Sequence, residues 1–143
     1  MNLVIDASVA AKWILVEEGT SAAKAVLQEC KAGRWTPLAP EILPAEIAAV
    51  LWKRVIRGLL EARQATFLYA RFEELRPILV PLAGLVGPAL QLALRYRHSL
   101  YDGLYVALSH QMNCRLVTAD EELHRRFRPD QHDIMLLRDW RSG

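Results

Sequence analysis

The sequence has little cysteine, no long apolar run and no strong charge of either sign. Its two cysteines, Cys30 and Cys114, form neither a C-x-x-C pair nor a metal-ligand spacing. They are expected to be free, buried thiols. Hydrophobic residues make up 52% of the chain and mean hydropathy is +0.09. Even so, no apolar run approaches the roughly 20 residues needed to span a bilayer. The start has no basic stretch and is interrupted by Asp6, so it does not read as a signal peptide. The expected location is therefore cytoplasmic. There is no G-x-S-x-G, and neither cysteine sits in a readable His/Asn context, which removes support for serine or cysteine hydrolase chemistry. Repeats, low-complexity segments and Gly/Ser linkers are also missing. The 143 residues are read as a single domain, 1–143. A net charge of +2 and a pI of about 8.7 are compatible with a polyanionic partner without demanding one.

What is present is an alternation of short apolar strands and longer amphipathic segments. Leu3-Val4-Ile5, Thr36–Ala39, Ile78–Val80, Arg115–Val117 and Ile134–Leu136 read as strands. Helices are expected at about Ser8–Leu15, from Thr20 or Ser21 to Lys31, and over Glu41–Gly58, Leu60–Leu75, Leu85–Tyr96 and Leu100–Asn113. A short helix should end at Phe127. Pro44 fits only the first turn of its helix. This order predicts an α/β fold with a parallel sheet covered on both faces. Ligands in such folds sit outside the carboxyl ends of the strands, where Asp6 and Asp120 fall.

Four acids stand in unusual company. Asp6 is the only charge in residues 1–11, Asp102 the only one in 99–109, and Glu46 the only one between Glu41 and Lys53. Isolated carboxylates in apolar surroundings are expensive to bury unless paired, hydrogen-bonded or bound to a cation. Each has an ordinary explanation at a helix start. Asp6 can cap, Ser99 and Asp102 resemble a capping pattern, and Thr118 with Glu121 forms a capping box that puts Asp120 in the first turn. Capping does not explain why apolar stretches surround three of the four. Carboxylates that converge favour hard cations such as Mg²⁺ or Mn²⁺.

The stretches "VIDASVAAKW", "PAEIAAVL", "YDGLYVALS" and "LVTADEEL" together resemble the PIN-domain ribonucleases, specifically the VapC toxins of toxin–antitoxin pairs. The resemblance runs in order from residue 3 to about residue 125. It implies a three-layer α/β/α sandwich around a central parallel β-sheet. It also implies hydrolysis of RNA phosphodiesters by acids that bind Mg²⁺ or Mn²⁺. Asp6, Glu46, Asp102 and Asp120 match the family's acids, with Gly103 in place of the commoner alanine. Ser8 and Thr118 match hydroxyl positions near the metal that orient carboxylates or water. The implied partners are a structured RNA such as a transfer or ribosomal RNA, a VapB-like antitoxin and a second copy of the chain, with no membrane.

RNA contacts are sought among basic residues, because phosphates supply most of the affinity. Lys12, Arg97 and Arg125 are the leading choices, with Lys53, Arg54, Arg57, Arg95, Arg126 and Arg128 behind them. His98 is expected to be a surface histidine, and His110, His124 and His132 show no metal spacing. Trp13, Trp35, Trp52 and Trp140 are expected in the core or an interface, and 59–72 could face a partner helix as well as the core. Two other readings stand beside the nuclease. A non-catalytic PIN-fold module would bind RNA or a partner without cutting. An Asp6-nucleophile phosphatase or receiver has less support: the phosphatase wants a second aspartate where Ser8 stands, and the receiver a lysine where Thr118 stands.

Overall fold

The computed structural model describes residues 1–130 and 133–142; His132 lies outside them. The apolar runs form five strands: β1 (Asn2–Ile5), β2 (Thr36–Pro40), β3 (Ile78–Val80), β4 (Arg115–Thr118) and β5 (Ile134–Leu136). All pair in parallel, in the order β3-β2-β1-β4-β5. Leu3, Val4 and Ile5 are fully buried, as a central strand covered on both faces requires. The register sets Val4 against Leu38 on one side and Leu116 on the other. Strand order reverses at β1, so a crevice opens at the carboxyl ends of β1 and β4.

Helices connect the strands: α1 (Ala7–Ala10), α2 (Thr20–Lys31), α3 (Leu43–Ile56), α4 (Ala62–Leu75), α5 (Val86–Tyr96), α6 (Leu100–Gln111) and α7 (Glu121–Phe127). A 3₁₀ turn, Ala11–Trp13, continues α1, so the helix expected over Ser8–Leu15 changes pitch midway. Each crossover returns the chain to the same end of the sheet, where α1, α3, α6 and α7 begin. The result is the three-layer sandwich expected from the sequence.

Several local expectations need correction. Neither Thr20 nor Ser21 caps α2; Gly19 does, with φ 85°. The Thr20 hydroxyl instead donates to the Leu15 carbonyl at 2.9 Å and accepts from the Glu17 amide at 3.0 Å, tying the loop before the helix. Asp120 is not in the first turn of α7 but caps it. The two cysteines are free but half-buried rather than buried. Trp13 and Trp140 are buried, Trp35 packs against Trp140, and Trp52 is 61% exposed. Trp52 and Ile56 of α3, Leu59 of the connecting loop and Phe67 of α4 are exposed apolar side chains. No helix among the described residues is long and apolar enough to cross a membrane.

Helices α5 and α6 approach closely at Gly103. A Cβ there would lie 2.9 Å from the Ala89 carbonyl oxygen, so α5 and α6 meet backbone to backbone. An alanine would improve helix propensity by roughly 1 kcal/mol. It would also force two backbones apart, and overpacking typically costs about 1–3 kcal/mol. Gly103→Ala should therefore destabilise the protein by about 1 kcal/mol, read from urea unfolding. Greater stability in the variant would show that the two helices separate at little cost.

Candidate active site

Asp6 follows β1 directly, and its amide is still in the sheet, donating to the Val117 carbonyl at 3.0 Å. Its side chain turns into the crevice and is 4% exposed. One oxygen, Oδ2, accepts every hydrogen bond that Asp6 receives at its carboxylate. The Ser8 hydroxyl donates at 2.5 Å, the Thr118 hydroxyl at 2.9 Å, and the Ser8 amide at 3.3 Å. Those hydroxyls are held in turn: Ser8 Oγ accepts from the Ala119 amide at 2.9 Å, and Thr118 Oγ1 from the Asp120 amide at 3.0 Å. The network joins the β1–α1 turn to the β4–α7 turn.

The other acids arrive from three more elements, each fixed by its own partner. Glu46, in the first turn of α3, accepts from the Tyr105 hydroxyl at 2.7 Å through Oε1. Asp102, in the first turn of α6, holds His98 Nε2 at 2.7 Å through Oδ2. Asp120 caps α7, its Oδ1 accepting from the amides of Glu122 at 2.9 Å and Leu123 at 3.1 Å. Tyr105 lies three residues after Asp102 on the same face of α6, and His98 lies in the segment just before the Ser99 cap, four residues before Asp102. Sequence reasoning missed Tyr105, which reads as one more core aromatic and is fully buried. It misplaced His98 as a surface residue: the side chain is only 17% exposed and stands edge-on to Phe127 of α7.

These groups interact electrostatically. Burial pushes the Asp6 carboxyl up to about 6, against the opposing pull of its Ser8 and Thr118 hydrogen bonds, and the charge of Asp102 adds to the rise. Burial raises Glu46 to about 7, Tyr105 pulls it down, and the charges of Asp6 and Asp102 push it further up. Asp102 is raised by burial and by Asp120, with His98 opposing. Tyr105 is raised by burial first and then by the surrounding carboxylates, so it stays protonated and can only donate to Glu46.

Among the described residues, no three Asp, Glu, His or Cys side chains form a ready-made cation cage. The donor set nevertheless fits a hard cation. Each acid ties one oxygen to the protein, while Asp6 Oδ1, Glu46 Oε2, Asp102 Oδ1 and Asp120 Oδ2 accept no hydrogen bond from the described residues. Among the described residues no buried side-chain polar atom lacks a partner, so those four oxygens reach solvent. Four mutually repelling carboxylates with open oxygens are what Mg²⁺ or Mn²⁺ binds while keeping part of its water shell.

A groove of about 390 Å³ opens beside this cluster, sharing Ser8 and Glu46 with it and passing between the 3₁₀ turn and α3. Lys12 lines it, with its ammonium 3.0 Å from Glu17. Arg97 is exposed at the end of α5 in a left-handed conformation (φ 54°), directly before His98. Arg125 is exposed toward the far end of α7 and pairs with Glu122, as Arg126 does.

The sequence pattern of the PIN domain family matches residues 3–128. Ribonuclease VapC3 of Pyrobaculum aerophilum is 32% identical over 129 residues, covering 89% of this chain and 95% of that protein. The crystal structure of PAE2754 from Pyrobaculum aerophilum superposes with a TM-score of 0.71, covering 96% of this chain and 93% of that one. At 16% identity that likeness concerns the fold alone. The chain belongs to the PIN-domain family, and within that family to its VapC type.

The raised carboxyls give a signed stability prediction. Asp6 titrates near 3.8 when unfolded and near 6 when folded, so it is neutral in both states below about pH 4. Above pH 6 the folded state carries a charge it disfavours, and relative stability falls across that window. In metal-free buffer, Asp6→Asn should therefore be more stable than the wild type at pH 8, by at most about 3 kcal/mol. The gap in Tm should close as pH falls to about 4. A gap that is constant with pH would contradict a carboxyl raised by burial.

Proposed function

We propose that this chain is a VapC-like endoribonuclease toxin that hydrolyses RNA phosphodiester bonds with Mg²⁺ or Mn²⁺. The observation that carries the reading is the arrangement of the acids. Four carboxylates from four elements each give one oxygen to the protein and leave the other open on the same crevice. Family membership supports hydrolysis of RNA, as the name of the VapC3 relative states for that protein. Asp6, Glu46 and Asp102 would hold the cation, with Asp120 at the edge. When bound, it supplies positive charge beside the phosphoryl oxygens and makes water a better nucleophile.

The chain's own residues prepare that site. Ser8 and Thr118 fix Asp6 so that Oδ1 faces the crevice. Tyr105 does the same for Glu46, and His98 for Asp102. Such donors orient ligands and oppose the rise that burial imposes on their carboxyls. Lys12, and Arg97 or Arg125 further out, offer cations to the phosphate backbone, which four acids would otherwise repel. A structured RNA such as a transfer or ribosomal RNA is the substrate in this reading, and the cytoplasm its place of action. A VapB-like antitoxin would neutralise the toxin. Exposed apolar side chains on α3 and α4 support partners of that kind, a second copy included.

Purified protein should cleave cellular RNA on addition of Mg²⁺ or Mn²⁺ and stop with a chelator. Asp6→Asn, Glu46→Gln and Asp102→Asn should each slow cleavage about a hundredfold or more, equivalent to about 2.7 kcal/mol of barrier. Asp120→Asn should cost less, because asparagine still caps α7. Cleavage by Asp6→Asn at the wild-type rate would sink the reading. Tight RNA binding by the wild type without cleavage would favour a non-catalytic module instead.

A further inference from the structure

The groove that opens from Ser8 and Glu46 has three properties that the acid crevice lacks. First, it carries cations beside its acids: Lys12 from the 3₁₀ turn and Lys53 from α3 line it together with Glu17 and Glu46. Second, one of those cations is held in place. The Lys12 side chain is only 14% exposed, and its ammonium sits 3.0 Å from Glu17 Oε1. Its stem runs beneath Gly19, where a Cβ would fall 3.2 Å from Lys12 Cε and 3.3 Å from Cδ. Gly19 is favoured by its positive φ of 85°, and it lies close over the lysine stem. Glu17 takes a second cation on its other oxygen, Arg54 at 2.5 Å, and this pins the loop to α3. Third, the walls are small and apolar, with Ala11, Ala49 and Val50 among them.

We propose that this groove is the path by which an RNA strand leaves the acids. The phosphate next to the scissile one is held by Lys12 and Lys53, and its base lies against Ala11, Ala49 and Val50. The assignment rests on the ribonuclease reading and specifies where the substrate runs. A preplaced ammonium loses little freedom on meeting a phosphate, so less of its attraction is spent on ordering. The apolar wall offers a surface to a base face and no polar edge to read, so base preference at this subsite is weak.

A rival exit exists on the other side. A concavity of about 470 Å³ is lined by His124, Arg125, Arg128 and Pro129. Glu46 and Ser8 line the groove beside Lys12, whereas none of the four acids lines this concavity. It lacks the continuity with the acids that an exit path needs.

The test uses the whole chain and total RNA from thiouridine-fed cells. Photo-crosslinking to Asp102→Asn with Mg²⁺ present should attach RNA to peptides spanning 7–12 and 46–53. Ala49→Phe places a ring in the groove from an exposed position, so Tm should hold while those crosslinks disappear. Lys12→Met in the otherwise wild-type chain should raise KM for total RNA about tenfold, with the change falling on KM more than on kcat. Crosslinks confined to α7, with wild-type cleavage intact, would overturn the groove and leave the ribonuclease reading standing. An unchanged KM in both Lys12→Met and Ala49→Phe would do the same. Absence of both cleavage and crosslinking in the wild type would remove the ribonuclease reading, and this one with it.

Discussion

The site depends on how a buried aspartate is kept in place among other acids. Asp6 sits at the end of the central strand, nearly sealed from water and within electrostatic reach of Asp102 and Glu46. Left alone, such a group would take up a proton or swing outward. Two hydroxyls converge on one of its oxygens and prevent this. One comes from the turn after β1 and the other from the end of β4. Since the β4 hydroxyl can reach only if β4 is the neighbour of β1, the sheet order and the carboxylate geometry are the same requirement. The reversal of strand order there also keeps the crevice open.

Helix α6 is the second organiser. Its first turn carries Asp102, Ser99 caps it, Tyr105 shares a face with Asp102, and His98 bonds Asp102 from the segment just before the cap. Tyr105 reaches across to α3, and His98 touches Phe127 of α7. One helix thereby fixes three of the four acids relative to each other. That demands close seating against the rest of the fold. Gly103 provides it by letting α5 approach to backbone contact. The departure from the family's commoner alanine therefore has a local reason in how α5 lies in this chain.

Much of the fold could be read from the sequence. The strands are short, apolar and separated by helical spacing, so a covered parallel sheet follows from patterning alone. The acids were legible for a related reason: a single charge in a long apolar stretch is conspicuous. The residues that hold those acids were not equally visible. Ser8 and Thr118 emerged only through resemblance to a family. Tyr105 is indistinguishable in sequence from a packing aromatic, because its hydroxyl's partner lies 59 residues away on another helix. His98 looked like a surface residue because nothing local marks its burial against α7. Thr20 looked like a cap, yet tertiary placement gave its hydroxyl to the preceding loop. In each case local chemistry offered two uses, and packing decided between them.

The Ser8 hydroxyl also limits what its position can hold. It donates its one proton to Asp6 and accepts from the Ala119 amide, so both faces of the oxygen are engaged. A second aspartate at this position would set carboxylate against carboxylate at hydrogen-bond distance. It would also retain an acceptor for Ala119, so the whole penalty would fall on Asp6. An acid at position 8 would therefore leave the central acid protonated or displaced, so a hydroxyl here keeps the buried carboxylate usable at the end of β1.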